Sequence, residues 1–292
     1  MYRLNLLVIS LGLLMSAMTV SAAQPDWDAV EVKSTPLGNG LYMLQGRGGN
    51  LGVSIGADGV FLIDDDYAPL AQKIKDKIAT LSDGNIEYLA NTHWHGDHTG
   101  GNESFHQHGS RIIAHDNVRV RMSAPGDGQS PPGALPELTY SDNATLHFNG
   151  QQIKLLHVRR AHTDGDTIVH FVDANVIHTG DVLFNGRYPF IDLASGGSVS
   201  GYIDGLKFML NLCNADTQII PGHGPLATCE DLSNAIEMLK ATRAAVKRLV
   251  DKGMNLEGVK AAKPLAAYDE QYAWAFITGE VFTTILFNDL AQ

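Results

Sequence analysis

Hydrophobic positions recur along the chain at two spacings, which predict where strands and helices lie. Apolar runs at 40–44, 50–55 and 59–64, separated by glycine-containing turns, predict three strands of a small sheet. Apolar residues at helical spacing over 69–81 then predict a helix. A strand at 86–90 follows it. The N-terminal part of the chain is therefore expected to combine a sheet with a covering helix.

The same succession of patterns returns further along the chain. We predict strands at 111–114, 144–148, 152–157, 167–171, 175–179 and 218–220, and helices at 102–105, 117–122, 202–212, 229–250 and 268–290. The Gly- and Pro-rich stretch 123–136 is interpreted as a connecting loop rather than a mobile flap. Two half-domains packed sheet to sheet, with helices outside, best accommodate this order.

The amino terminus has the features of a signal peptide. Arg3 precedes a nearly continuous apolar run over 4–20, and the small residues at 21–23 suit a signal peptidase. We predict that 1–23 are removed and that 24–292 form a single domain with a C-terminal helix. An uncleaved membrane anchor is the alternative. Cleavage implies a periplasmic or secreted protein without stable membrane association.

Composition narrows the classes of partner. The 292 residues carry a formal net charge of −11 without a cluster of Lys or Arg, which argues against nucleic-acid substrates. Cys213 and Cys229 are the only cysteines, so they form either one disulfide or two free thiols. Neither lies in a CxxC pair, and a cysteine-based zinc or redox site is therefore not expected.

Most of the closely spaced candidate metal ligands lie directly after the predicted strand at 86–90. His93, His95, Asp97 and His98 fall within six residues. In an extended conformation, the first three side chains would point to one side, and a turn at Gly96 would bring His98 from another direction. Imidazole and carboxylate ligands suit Zn²⁺, and four of them can begin two metal sites.

Further candidate ligands follow other predicted strands. His162 lies beyond the strand at 152–157, Asp181 beyond the strand at 175–179, and His223 beyond the strand at 218–220. Each alone also suits a cap or a buried structural histidine. Because several strand ends can meet at one edge of an α/β structure, we expect these three to join the first four ligands.

The stretch with His93 to His98, followed in order by the stretches that carry His162, Asp181 and His223, resembles the metallo-β-lactamase superfamily. The resemblance covers about residues 30–250. The resemblance implies a four-layer αβ/βα sandwich and two Zn²⁺ ions, although iron or manganese also suits a bridging carboxylate. It assigns His93, His95 and His162 to one ion, Asp97, His98 and His223 to the other, and Asp181 to both. Asp64 matches a family aspartate that orients a ligand imidazole; a turn cap is its alternative role.

The resemblance implies a hydrolase that opens a small cyclic amide or ester with a metal-bridging hydroxide, while Asp97 orients the nucleophile and carries its proton. β-Lactams are the first small-molecule substrates to consider, with a possible role in antibiotic resistance. Arg187 is a candidate for binding a substrate carboxylate. The glycines over 46–50 suggest a flap beside the site.

Asp181 weakens the β-lactam interpretation, because true class-B β-lactamases usually carry Cys or Ser at this position. Aspartate there resembles thioesterases and lactonases of the same superfamily. The export signal and the lack of an evident glutathione-binding tail weigh against glyoxalase II in particular. A non-catalytic exported zinc-binding protein is the alternative from another functional class.

Overall fold

The computed structural model describes residues 25–126 and 129–291. The predicted signal peptide at 1–23 lies outside these residues. One sheet contains seven strands in the order β1 (Lys33–Gly38), β2 (Leu41–Gln45), β3 (Asn50–Gly56), β4 (Gly59–Ile63), β5 (Ile86–Ala90), β6 (Arg111–His115) and β7 (Leu138–Tyr140). The second sheet has the order β12 (Gln218–Ile220), β11 (Val176–His178), β10 (Asp166–Phe171), β9 (Gln151–Val158) and β8 (Asn143–Phe148).

Side chains that alternate between the two faces of the central strands explain why the two sheets pack face to face. In β4, Phe61 and Ile63 join the core between the sheets, whereas Val60 and Leu62 join the core under the outer helices. Successive side chains of a strand point to opposite faces, so an all-apolar strand has both faces covered. Residues of β9 and β10, including Leu155 and Phe171, complete the core between the sheets.

Helices cover both outer faces. Over the first sheet lie α1 (Ala71–Ala79) and α3 (Asn102–Gln107), with α2 (Gly96–Thr99) and α4 (Asp116–Met122) near its C-terminal strand ends. Over the second lie α5 (Val199–Leu212), α6 (Cys229–Val250), α7 (Leu256–Ala261), α8 (Ala266–Tyr272) and α9 (Gly279–Leu290). The four layers are those of the predicted αβ/βα sandwich.

The long helix α6 shows how the sequence defines an element. Thr228 and Asp231 form a capping box that satisfies backbone N–H groups at its first turn. Leu232, Ile236 and Leu239 repeat at helical spacing and are buried in the core under the second sheet. The bounds Cys229–Val250 agree with the predicted helix.

The single closing helix predicted over 268–290 is wrong. Residues 273–278 separate α8 from α9, and Thr278 caps the start of α9 by accepting a hydrogen bond from Val281 N. The aromatic side chains of this interruption, Trp274 and Phe276, therefore lie on a connecting segment rather than on a packed helix face. No helix among the described residues is long and apolar enough to span a membrane.

The alternative left open for the two cysteines is resolved in favour of a disulfide. Cys213 follows α5 and Cys229 begins α6; the two are bonded, and their Cα atoms lie 6.0 Å apart. The bond ties together the neighbouring ends of two helices that cover the second sheet.

Candidate active site

The candidate ligands meet where strand ends from both sheets converge. His93 and Asp97 follow β5, and His162 lies in the turn between β9 and β10. Asp181 follows β11, and His223 follows β12. The structure therefore brings together all seven residues that the sequence singled out as ligands, in two groups that meet at Asp181.

The extended conformation expected for the first stretch is wrong beyond His95. His95 is the N-cap of α2, and the backbone N–H groups of His98 and Thr99 both donate to His95 O, at 3.0 and 3.1 Å. Asp97 and His98 consequently lie on a helical turn, whereas His93 precedes it. The switch from loop to helix, rather than strand alternation, separates the residues into two directions.

The first group contains His93, His95, His162 and Asp181, with possible ligand atoms within 4.8 Å of one another. His95 Nδ1 and His162 Nε2 lie 2.9 Å apart. Asp181 Oδ2 lies 3.5 Å from His162 Nε2 and 3.8 Å from His93 Nε2. Three imidazoles and one carboxylate oxygen thus surround one point.

The second group contains Asp97, His98 and His223. Asp97 Oδ2 lies 3.3 Å from His223 Nε2 and 3.7 Å from His98 Nε2. The other oxygen of Asp181, Oδ1, lies 3.1 Å from His98 Nε2 and 3.4 Å from His223 Nε2. The two oxygens of Asp181 therefore face different groups.

The chemistry of these residues fits divalent cations. His93 Nε2, His98 Nε2 and Asp181 Oδ1 are buried without a hydrogen-bond partner, although such atoms are normally paired. Burial lowers the pKa of His93 well below its ordinary value and thereby favours the neutral imidazole that binds metals. His98 Nε2 and Asp181 Oδ1 face each other at 3.1 Å, and His93 Nε2 lies 3.8 Å from Asp181 Oδ2, so cations held by these atoms would satisfy them.

The charge balance of the site leads to the same conclusion. Burial opposes the charged form of His98, yet Asp181, Asp97 and Asp64 raise its pKa well above the ordinary value. The pKa of His223 is raised to about 9, because Asp181 and Asp97 outweigh its burial. Without a metal, the carboxylates hold protons on these histidines, so the site stabilises positive charge.

Buried hydrogen bonds orient the inner ligands. His98 Nδ1 donates to Asp64 Oδ2 at 2.8 Å, and Thr92 donates to both Asp64 oxygens through its backbone N–H and its hydroxyl, at 2.7 Å each. His93 Nδ1 lies 3.1 Å from Thr92 Oγ1. Each of these contacts leaves Nε2 of the histidine directed at the site. Asp64 thus has the position predicted for a residue that orients a ligand imidazole.

The sequence reasoning missed Asp192. Its Oδ2 accepts a hydrogen bond from His95 Nε2 at 3.1 Å, so that Nδ1 of His95 faces His162. His162 in turn donates from Nδ1 to Phe190 O at 2.8 Å. Asp192 ends the stretch 185–192 that follows Asp181, but nothing in the sequence indicates which histidine it contacts.

The flap expected over 46–50 is instead a pinned turn between β2 and β3. Asp66 accepts hydrogen bonds from Arg47 N and Gly48 N at 3.0 and 2.9 Å, and Gly49 N donates to Asp97 O at 3.1 Å. A Cβ on Gly49 would overlap the His98 ring. These glycines allow the turn to pack directly on the ligand residues.

A cavity of about 850 Å³ opens over the two groups. His95, Asp97, Asp181 and His223 form part of its lining, so both groups are accessible from it. Arg187 also lines the cavity, with its guanidinium carbon 5.0 Å from the centre of the Trp274 ring. The cavity has the size of a small-molecule site.

Two curated proteins are similar to this chain over part of its length. A hydroxyacylglutathione hydrolase from Synechococcus sp. strain JA-3-3Ab is 31% identical over 138 residues, which cover 47% of this chain and 50% of that protein. The bovine acyl-coenzyme A thioesterase MBLAC2 is 22% identical over 223 residues, 64% of this chain and 79% of the relative. The chain spans about half the length of the first of these curated relatives.

Solved structures with low sequence identity share the fold. A metallo-β-lactamase from Pontibacter korlensis aligns with a TM-score of 0.63 at 15% identity, covering 72% of this chain and 99% of that one. A double mutant of the sec-alkyl sulfatase PisA1 aligns with a TM-score of 0.70 at 15% identity, covering 90% of this chain and 50% of that one. These likenesses confirm the predicted four-layer sandwich.

The family model of the metallo-β-lactamase superfamily matches residues 54–227. The matched segment includes the stretch that carries His93 to His98, as well as His162, Asp181 and His223. The resemblance inferred from the spacing of these residues is thus confirmed: the chain belongs to the metallo-β-lactamase superfamily.

Proposed function

We propose that the protein is a metal-dependent hydrolase that holds two divalent cations, with zinc the first candidate. His93, His95 and His162 would hold one ion, and Asp97, His98 and His223 the other. The position of Asp181 carries this proposal: one of its oxygens lies near the first group and the other near the second. Imidazole and carboxylate ligands in these numbers suit zinc.

The proposed reaction is hydrolysis of an acyl ester or thioester. Bound divalent ions polarise a carbonyl and lower the pKa of water, which is the chemistry they would supply here. Water loses a proton as its oxygen forms a bond to the acyl carbon, the bond from that carbon to sulfur or oxygen breaks, and the leaving thiolate or alkoxide takes that proton and departs as the thiol or alcohol. Asp97 lines the cavity and would carry this proton.

Thioesters take precedence over β-lactams in this proposal. One named relative is an acyl-coenzyme A thioesterase and the other a hydroxyacylglutathione hydrolase. The carboxylate of Asp181 is the feature that argues against a class-B β-lactamase. The similarity to a hydroxyacylglutathione hydrolase makes hydroxyacylglutathione thioesters candidate substrates, although the sequence shows no evident glutathione-binding tail. β-Lactams and lactones remain substrates to test, not conclusions.

A substrate panel tests this function. The zinc-loaded protein is assayed with an acyl thioester, a homoserine lactone, nitrocefin and a phosphodiester, beside His95→Ala. The exposed histidine in His147→Ala provides the matched control. We expect thioester turnover in the wild type and in the control but not in His95→Ala. Zinc binding without turnover of any substrate would contradict the hydrolase and favour a zinc-binding protein.

We also propose that residues 1–23 direct export and that 24–292 form one domain. The disulfide between Cys213 and Cys229 supports an oxidising compartment. N-terminal sequencing of the protein recovered from a periplasmic extract and from the medium tests this proposal. A mature chain that begins near residue 24 is expected, whereas an intact Met1 on membrane-associated protein would favour the anchor.

A further inference from the structure

The cavity over the metal groups has two chemically different walls. The turn between β2 and β3 supplies Gln45, Arg47 and Asn50, and Tyr67 stands beside it. The opposite wall comes from two segments of the C-terminal half, which we call the aromatic wall: Phe184, Phe190, Trp274 and Phe276. A substrate that spans the metal groups would therefore have one polar and one apolar environment.

The aromatic wall is continuous with the ligand residues. Phe184 stacks on His223, with ring centres 4.8 Å apart, and Phe190 lies 5.9 Å from His95. Trp274 extends this surface outward at 6.1 Å from Phe184. An apolar group on this wall would lie beside the ligand residues, and burial of its surface would favour binding.

The wall is held in a defined position. Trp274 Nε1 donates to Tyr188 O at 3.0 Å, and Tyr188 N donates to Tyr272 O at 2.8 Å. These bonds join the segment after Asp181 to the segment between α8 and α9. The wall is therefore organised before any substrate arrives, which reduces the entropy cost of binding.

Phe276 lies at the outer end of the wall and is 59% exposed. Its ring nevertheless lies 5.6 Å from the rings of both Phe190 and Trp274. A large aromatic side chain that continues a cavity wall yet remains half in solvent provides apolar surface that a ligand can cover.

Arg187 adds a positive charge to this side of the cavity. Its guanidinium lies over the Trp274 ring, and it makes no salt bridge with a residue in the described ranges 25–126 and 129–291. The other arginine of the cavity, Arg47, is exposed on the polar wall and lies over Trp27. A planar guanidinium matches a carboxylate with two parallel hydrogen bonds, so Arg187 can bind an anion next to the apolar surface.

We infer that the substrate is a thioester or ester whose acyl group is aromatic and carries a free carboxylate, with the ring on Trp274 and Phe276 and the carboxylate at Arg187. This inference rests on the proposed hydrolase and specifies its substrate class. Trp274, Phe276 and Arg187 are thereby assigned as residues that determine specificity.

The test uses three thioesters of one thiol, N-acetylcysteamine, with acetyl, phenylacetyl and 4-carboxyphenylacetyl groups. The zinc-loaded wild-type protein should prefer phenylacetyl over acetyl by about 10-fold in kcat/KM, since one buried ring has such an effect. The added carboxylate should give about another 10-fold, as a charge-assisted pair does. The free acid, 4-carboxyphenylacetate, should bind the zinc-loaded protein in calorimetry.

Variants separate the two contacts. Phe276→Ala removes the exposed ring and leaves the contact of Arg187 with Trp274 in place, so it should reduce only the preference for phenylacetyl over acetyl. Arg187→Ala should reduce only the gain from the carboxylate, which Arg187→Lys restores in part. Phe208→Ala and Arg248→Ala alter exposed residues outside the cavity lining and should leave both preferences unchanged.

The outcomes distinguish this inference from the proposed function. Equal kcat/KM for the three thioesters, with normal turnover, would overturn the substrate class and leave the hydrolase standing. A carboxylate effect that disappears in Arg47→Ala but survives in Arg187→Ala would move the anion to the polar wall and also overturn it. Absence of all turnover would contradict the hydrolase itself, and calorimetric binding of the free acid would then show whether the cavity still selects it.

Discussion

Two carboxylates orient histidines on opposite sides of the site, and their surroundings differ. Asp64 contacts His98 from within the N-terminal half, and its side chain is 1% exposed. Asp192 contacts His95 from the C-terminal half, and its side chain is 14% exposed. We call the side with Asp64 and His98 the inner side, and a buried network holds it in place. The side with Asp192 and His95 is the outer side, and it belongs to the segment that also carries Arg187 and Phe190.

This difference separates two tasks within one site. The inner side, which Asp64 after β4 supports, holds His93 and His98, and neither of these two histidines lines the open cavity. The outer side couples a ligand, His95, to the segment that lines the aromatic wall. Changes on the inner side should affect stability and metal binding together, while changes on the outer side should affect metal binding and specificity at little cost in stability.

Asp181 joins the two sides, so Asp181→Asn should have the largest effect. Loss of the charged carboxylate whose two oxygens face the two groups should lower kcat/KM by about 100-fold or more, beyond the range seen when only an outer partner of a ligand is lost. Metal content by mass spectrometry should fall in parallel. Asp204→Asn alters an exposed aspartate and serves as the control; an equal loss there, or full metal content in Asp181→Asn, would contradict the shared role.

Asp64→Ala tests the inner network. It leaves His98 Nδ1 and both Thr92 donors buried without partners, which should lower the free energy of unfolding of the metal-free protein by about 3 to 5 kcal/mol. Asp64 has a φ of 58°, and Asn tolerates that conformation, so Asp64→Asn should recover part of the loss. Urea denaturation measures both. A loss below about 1 kcal/mol would show that the network is not a stabilising unit.

His178 joins the two sheets and makes the stability of the protein depend on pH. Its Nε2 donates to Asn50 O at 3.1 Å, and its Nδ1 accepts from Gly180 N at 3.2 Å, so it is neutral. Burial lowers its pKa to about 4. The histidine of the unfolded chain binds its proton at a higher pH than the buried one. The contribution of neutral His178 to the free energy of unfolding, about 3 kcal/mol, is therefore complete above about pH 6.5 and is lost as the pH falls toward about 4.

The measurement compares metal-free wild type with His178→Gln, a side chain that does not titrate. The variant should be less stable at about pH 8, and the difference should shrink toward about pH 4.5. A difference between the two proteins that stays constant with pH would exclude His178 as the source.

Asp192→Asn tests the outer side. Asparagine weakens the hydrogen bond to His95 while keeping an acceptor for Ser195 N, so metal affinity should fall by about 10-fold. Competition with a chromophoric chelator measures this affinity, and urea denaturation should show little change. Destabilisation as large as that of Asp64→Ala would remove the distinction between the two sides.

Two glycines near the ligands, Gly49 and Gly96, allow a comparison of two substitutions with the smallest expected effects on stability. A Cβ on Gly49 would meet His98 Cε1, whereas a Cβ on Gly96 would meet nothing within 4 Å. Gly49→Ala should therefore cost about 1 to 3 kcal/mol through displacement of His98, and Gly96→Ala, at the first position of a helix, should be nearly neutral. Equal effects in thermal denaturation would show that His98 adapts without cost.

The sequence predicted the fold and the residues that meet at the candidate site, because both depend on local patterns. Alternation in β4 and helical spacing in α6 are visible within a few residues, and the spacing of His93 to His98 is nearly specific to one superfamily. The helical turn at Gly96 was missed because it depends on backbone bonds to His95 O and, at Gly100, to Asp66 O. The bonds to His95 O are local, but the contact with Asp66 O, 34 positions earlier in the chain, comes from the tertiary structure.

The remaining errors have the same origin. The contact of Asp192 with His95 spans 97 positions in the chain, and no periodicity encodes it. The interruption at 273–278 reads as helical from its apolar residues, but Trp274 bonds to Tyr188 O and thereby leaves the helix. The flap at 46–50 was inferred from glycines whose actual role is close packing against Asp66, Asp97 and His98.

The central claim is that Asp181 lies between two cation sites, and a zinc titration of the metal-stripped wild-type protein tests it most directly. Calorimetry should give about two zinc ions per chain, and Asp181→Asn should weaken both binding events. One ion per chain at saturation, or two ions whose binding is unaffected by Asp181→Asn, would contradict the account.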